Sequence, residues 1–211
     1  MRLVVLISGS GSNLAALLAA CAEGRVAGQV VGVVSDRRDA YGLVRAAEAG
    51  VPTTLVPWRL MHKAGASRED FDAALADAVA AFEPDLIVLA GFMRILTPTF
   101  LTRFDGLVIN LHPSLPGDII GAGAIERAFE EAQAGRRDHT GVMVHEAIAE
   151  VDAGPVLGQV TVPILPDDTL DTLKARVHAA EHTLLVEVVA RRCAERGAPS
   201  SRSSTDSTQV N

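Results

Sequence analysis

The chain has 211 residues, 48% of them hydrophobic, enough for one sizeable core or two small ones and too apolar for disorder over most of its length. A formal net charge of -7, with no dense Lys/Arg run and no basic-aromatic interleaving, does not provide the footprint of a nucleic-acid binder. No apolar stretch is long enough to span a bilayer and no signal segment opens the chain, so a cytoplasmic setting without membrane partners is expected.

An apolar run at residues 3–7 leads into SGSGSN, residues 8–13, and then into a helical stripe at Leu14, Leu17, Leu18 and Cys21. The backbone N–H groups of such a turn, together with the helix N-terminus behind it, can hold a phosphate without Lys or Arg. Three readings stand side by side: a phosphate cradle, a nicotinamide-dinucleotide site and a tight turn with no ligand. The dinucleotide fingerprint is incomplete because Leu14 stands three residues after Gly11. Asp36, just past the second apolar run at residues 30–34, would nevertheless suit a ribose hydroxyl. Cys21 and Cys193 are far apart in sequence, and reduced thiols are expected rather than a disulfide.

A short helix at residues 41–49 and an extended piece at 53–56 follow. Ser67 can cap a helix whose third residue, Asp70, completes the start signal ahead of Phe71, Leu75, Val79 and Phe82; Pro84 ends it. Strands at residues 86–89 and 107–111 each run into a polar or glycine-containing segment, as ligand-bearing strand ends do in open α/β sheets. The alternation implies a parallel sheet with crossover helices. Beyond it come a helix at 124–134, a segment at 140–145, a strand at 156–162 and a closing helix from Thr169 to about Arg192. From Gly197 the chain turns small and polar without apolar periodicity, so residues 1–196 are expected to form the domain and 197–211 a disordered tail.

INLHPS, residues 109–114, places Asn110 and His112 two apart as a strand ends, which points both side chains to one face. An amide donor and an imidazolium aimed at one oxygen form an oxyanion site, and the imidazole can also handle the proton of an attacking amine. The plainer reading is a satisfied polar pair. Asp152, in EVDAGPV, lies at a turn forced by Gly154 and Pro155. A carboxylate near a histidine favours its charged form, but the sequence supplies no proximity and a solvated loop aspartate is the plainer reading. His178, Glu181 and His182 spell H-x-x-E-H, a zinc-peptidase signature, yet too little chain follows to supply another ligand. A helix face bordering a ligand pocket explains them at least as well, and no metal is expected.

Taken in order, LISGSGSNL (6–14), LAGFMRIL (89–96), NLHPSLPG (110–117), VDAGPV (151–156) and AEH (180–182) resemble the phosphoribosylglycinamide formyltransferases. The resemblance runs to about residue 192. It implies an α/β, Rossmann-like formyltransferase fold with a mostly parallel twisted sheet flanked by helices. It also implies 10-formyltetrahydrofolate as co-substrate, no metal, and formyl transfer to the amine of glycinamide ribonucleotide (GAR) in purine biosynthesis. Asn110, His112 and Asp152 would then be catalytic, and Gly11, Ser12 and Asn13 would hold the GAR phosphate. Gly91, Met93, His178 and Glu181 would line the ribose and glycinamide. Arg68, Met93, Arg94, Ile95, Leu96, Asn110, Ile148, Ala149, Glu150, Val151 and Asp152 would face the folate. The loop after His112, HPSLPGDIIGAGAIERAF, departs from the pattern of many bacterial relatives and is closer to the fungal type. Methionyl-tRNA formyltransferase shares the Asn/His/Asp chemistry, but its additional C-terminal domain is not expected here, nor is the N-terminal regulatory domain of formyltetrahydrofolate deformylase. The competing class is an NAD(P)-dependent dehydrogenase or a non-catalytic nucleotide-binding module built on Gly9, Gly11 and Asp36. Partners would be the two small molecules, with the protein a monomer or homodimer.

Overall fold

A computed structural model describes residues 1–197. The elements run β1 (Arg2–Ile7), α1 (Ser12–Ala22), β2 (Gln29–Ser35), α2 (Gly42–Glu48), β3 (Thr53–Leu55), α3 (Trp58–Lys63) and α4 (Arg68–Ala80). They continue with β4 (Leu86–Leu89), α5 (Pro98–Leu101), a single 3₁₀ turn, β5 (Val108–His112), α6 (Ala124–Gln133), β6 (His139–Glu146), β7 (Val156–Pro163) and α7 (Leu170–Gly197).

The layering follows from the period of two along the central strands. In β1, Leu3, Val5 and Ile7 enter one apolar cluster while Val4 and Leu6 enter another, all fully buried. A strand apolar on both faces requires cover on both. Leu14 and Leu17 of α1, Ala128 of α6 and Leu173, Val177 and Leu185 of α7 supply the first cover; Phe71, Leu75 and Val79 of α4 and Phe100 of α5 supply the second. Fully burying one such side chain is worth about 1.5–3 kcal/mol. Ser67 caps α4 as its sequence promises, its Oγ accepting from the Asp70 N–H at 3.0 Å while the Asp70 carboxylate accepts from the Ser67 N–H at 2.9 Å. Phe82 lies beyond the end of α4 and covers Gly32, where a Cβ would stand 2.6 Å from the ring.

The sheet order is β3-β2-β1-β4-β5-β6-β7. The strands from β3 to β5 are parallel, and the chain turns outward in both directions from the β1/β4 neighbours, the kind of switch point where open α/β sheets bind ligands. The expected parallel pattern stops at β6, which is antiparallel to both β5 and β7. Strand direction depends on the route of the connection, and an apolar run carries no sign of it. β5 is also shifted by one residue from the expected 107–111, so that His112 is the last residue of the ladder. Two helices have no counterpart in the sequence pattern: α3 buries no residue and α5 is a single turn begun by Pro98. α7 continues past Arg192 to Gly197, and the expected tail lies outside the described residues apart from Gly197 itself. No helix among the described residues is long and apolar enough to cross a membrane. Cys193 is buried and Cys21 half-buried; both are free thiols whose pKa values burial pushes up.

Candidate active site

The glycine turn is built by close packing against α2. Gly11 has φ +69°, and a Cβ there would lie 2.5 Å from the Cα of Gly42. Left-handed backbone and lack of space together require glycine. The carbonyls of the turn are tied back, Gly9 accepting from the Gly42 N–H at 3.1 Å and Ser10 from Arg45 Nε at 2.9 Å. Among the described residues no side chain caps α1, so the N–H groups of its first turn, from Ser12 onward, are available to an anion.

Asn110 and His112 emerge from the end of β5 and meet Asp152. The Asn110 Nδ2 group donates to Asp152 Oδ1 at 3.3 Å, and His112 Nδ1 stands 3.5 Å from Asp152 Oδ2. The proximity that the sequence could not supply is therefore present. His112 Nε2 faces the Ile119 carbonyl at 2.7 Å; a carbonyl only accepts, so this nitrogen carries a proton. The loop that brings the carbonyl is pinned by Ser114 Oγ, which accepts the Ile119 N–H at 3.0 Å, and by the Gly121 N–H, which donates to Asp152 Oδ2 at 2.8 Å. Asp152 itself sits at φ +55°, uncommon for a residue with a Cβ, and Gly154 is forced because a Cβ there would fall 1.8 Å from the Glu146 carbonyl oxygen. Burial pushes the Asp152 carboxyl up, but hydrogen bonding from His145, the Gly121 N–H and the nearby His112 outweigh it and hold the carboxyl below its ordinary range.

These groups line a cleft of about 350 Å³ together with Gly91, Met93, Arg94, Ile95, Leu96, Ile148 and Val151. Met93, Ile95 and Ile148, which line it, leave apolar surface exposed. Arg68 reaches the rim, where its guanidinium donates to the Ile95 carbonyl. Ala149 and Glu150 are exposed on the same loop as Ile148 but do not line the cleft. A larger hollow of about 500 Å³ lies among Arg2, Cys21, Gly28 and Gly50, and none of the candidate residues borders it. Volume alone is outweighed by convergent polar groups as the mark of a site.

Asn13, His178 and Glu181 do not line this cleft; they join α1 to α7. Asn13 Nδ2 donates to Glu181 Oε2 at 3.1 Å, and His178 Nδ1 meets the same oxygen at 2.9 Å. Glu181 is buried, and its hydrogen bond raises the His178 pKa above the ordinary imidazole value against the opposing effect of burial. Asn13 Oδ1 is buried without a partner among the described residues. His178 is thus turned to Glu181 rather than toward a site shared with His182, whose ionisation burial disfavours. Among the described residues no group of three or more His, Cys, Asp or Glu side chains is placed to hold a metal ion.

The formyl transferase family model matches residues 1–189. The chain belongs to the formyl transferase family. It is 48% identical over 196 residues to the phosphoribosylglycinamide formyltransferase of Schizosaccharomyces pombe, covering 89% of this chain and 94% of that protein. It is 41% identical over 189 residues to the enzyme of the same name from Escherichia coli, covering 90% and 85%. Among solved structures, glycinamide ribonucleotide transformylase 1 from Symbiobacterium toebii superposes with a TM-score of 0.85 at 41% identity, over 96% of this chain and 92% of that one.

Two residues of this formyl transferase acquire their meaning only from the fold. His145 was not singled out by sequence, yet the β5/β6 register sets it opposite Asn110, whose Nδ2 lies 3.1 Å from His145 Nε2. Its Nδ1 faces the Glu146 carbonyl at 2.8 Å and so carries a proton, and its Nε2 also stands 3.6 Å from Asp152 Oδ1. The available signal was a histidine closing an apolar run, as His112 does. Asp36, expected to suit a ribose hydroxyl, is instead buried against Ser8 and Arg94, and the nicotinamide reading loses its acidic residue.

Proposed function

We propose that this enzyme transfers the formyl group of 10-formyltetrahydrofolate to the amine of GAR, giving formyl-GAR and tetrahydrofolate in de novo purine biosynthesis. The single observation that carries the proposal is the convergence of Asn110, His112 and Asp152 on one cleft, in a chain whose relatives over nearly its full length are named for this reaction. In this reading the amine nitrogen bonds to the formyl carbon, the bond from that carbon to the folate nitrogen breaks, and the amine proton passes to the departing nitrogen.

Negative charge develops on the formyl oxygen during the attack. Asn110 Nδ2 would exchange its long bond to Asp152 for one to that oxygen, and His112 would contribute a second donor. Asp152 keeps a negative charge beside both and can hold a water that relays the proton. The GAR phosphate would take the N–H groups of Gly11, Ser12 and Asn13. Its ribose would meet Glu181 and His178, with Gly91 and Met93 beside the reacting amine. The pterin would occupy the apolar cleft along residues 93–96 and the loop at 148–152, with Arg68 toward the folate tail. Tetrahydrofolate release from 10-formyltetrahydrofolate by the purified protein tests the proposal. Release that requires GAR supports it, and absence of GAR-dependent release rejects it.

A further inference from the structure

Asp36 is a buried carboxylate that the proposed chemistry does not use. It follows directly on β2, its side chain has no solvent exposure, and both of its oxygens are taken. Ser8 Oγ donates its one proton to Oδ1 at 2.6 Å, and Arg94 Nε donates to Oδ2 at 2.7 Å. Having given its proton, Ser8 Oγ accepts the Met93 N–H at 2.8 Å, while the Ser8 N–H donates to the Gly91 carbonyl at 3.1 Å. Ser8 immediately precedes the glycine turn. The segment 91–96 forms one side of the cleft. A single carboxylate therefore ties the turn on β1 to the segment leaving β4, across the switch point of the sheet.

The pattern needs an acceptor at both oxygens. An asparagine of the same shape offers only one. With its NH₂ toward Arg94 it would set donor against donor. With its NH₂ toward Ser8, the serine oxygen would accept from both that amide and the Met93 N–H, and its own O–H would lose its acceptor. Arg37, the neighbouring cation, is engaged by Asp39 and does not substitute for Arg94.

We propose that Asp36 is a positioning residue that holds the 91–96 segment in register with the phosphate turn, so that the folate side of the cleft is set relative to the GAR side. This rests on the proposed formyl transfer to GAR. The test is Asp36→Asn in the full chain, with Ser8→Ala as a second variant that removes the hydroxyl link and leaves the Arg94 pair. Loss of a charge-assisted bond should raise KM for 10-formyltetrahydrofolate about tenfold in Asp36→Asn. The GAR KM should change less than about threefold, because Arg45 and Gly42 still hold the turn carbonyls. Ser8→Ala should raise the folate KM in the same direction but less.

A readout independent of turnover is available at Trp58, the one tryptophan of the chain, over which the Arg94 guanidinium lies 5.9 Å from the ring centroid. Its emission should change in Asp36→Asn, and in an Arg94→Met background Asp36→Asn should add no further change in folate KM. Unchanged folate KM in both variants overturns the inference, whether or not the melting temperature falls, as does unchanged Trp58 emission in Asp36→Asn. Absence of GAR-dependent release by the unaltered protein overturns the proposed reaction instead, a distinct outcome.

Discussion

At the strand ends, Asn110, His112, His145 and Asp152 are bonded mainly to one another and to two backbone groups of the following loop. Between α1 and α7, Asn13 and His178 share one Glu181 oxygen, and the buried Asn13 amide oxygen has no partner among the described residues. The first arrangement holds donors and a charge at fixed separations, which in the proposed reaction would serve a charge that appears only during transfer. The second keeps bonding capacity in reserve, which in the same proposal would meet a ligand that is polar before it arrives. The contrast predicts that damage to the first will appear in turnover and damage to the second in affinity.

The largest effect is expected at the strand ends. His112→Ala and Asp152→Asn should each lower kcat by about 10²–10³, the usual consequence of losing a donor or its charge partner at a developing oxyanion. KM for GAR should stay within about threefold of the unaltered enzyme, since neither residue touches the Asn13–Glu181 wall. An equal loss of GAR affinity in both variants would remove the distinction between the two regions.

Gly154→Ala attacks the same region through the backbone. The added Cβ meets the Glu146 carbonyl, and overpacking of this kind costs about 1–3 kcal/mol, a fall of several degrees in Tm for a chain of this size. Because Asp152 lies two residues away, turnover should fall as well, while thermal stabilisation by GAR persists. Thermal melts with and without GAR check this, and a fall in Tm with kcat intact would uncouple Gly154 from the placement of Asp152.

Glu181→Gln tests the other wall and should be milder. The amide keeps an acceptor for Asn13 but loses its charge toward His178 and the ribose, raising KM for GAR about tenfold with kcat within about threefold. Steady-state kinetics at varied GAR decide it; a kcat loss like that of Asp152→Asn would place Glu181 with the strand-end group.

Much of this contrast was legible before the fold was known, and unevenly. Gly11 announced its turn, Ser67 and Asp70 their cap, and the pairing of Asn110 with His112 followed from strand geometry alone, because each is a local feature of the chain. Asp152 had only a turn in its favour until the fold set it beside His112, and His145 had only its place at the end of an apolar run until β6 was seen to run against β5. Asp36 shows the reverse: its position at the end of the second apolar run suggested a ribose ligand, but its environment is set by Arg94, 58 residues away. Local chemistry is written in short stretches of sequence. Partners across a sheet depend on strand order and direction, which hydrophobic periodicity does not encode.

The smallest predicted effect isolates the charge on His178. Its folded-state pKa is raised, chiefly by the hydrogen bond to Glu181, so the bond stabilises the fold fully below the unfolded histidine value and is lost as pH rises through the folded value. The side chain is 47% exposed, so screening should keep the contribution under about 1 kcal/mol. Thermal unfolding of the unaltered protein and of His178→Gln from acidic to alkaline pH should give a Tm difference largest in acid that shrinks through the neutral range. Titrations common to both proteins largely cancel from the difference. Repeating the comparison in the Glu181→Gln background should remove most of the pH dependence while leaving any difference due to packing. A Tm difference that is flat with pH in the native background would mean that His178 contributes shape and not charge to the contact between α1 and α7.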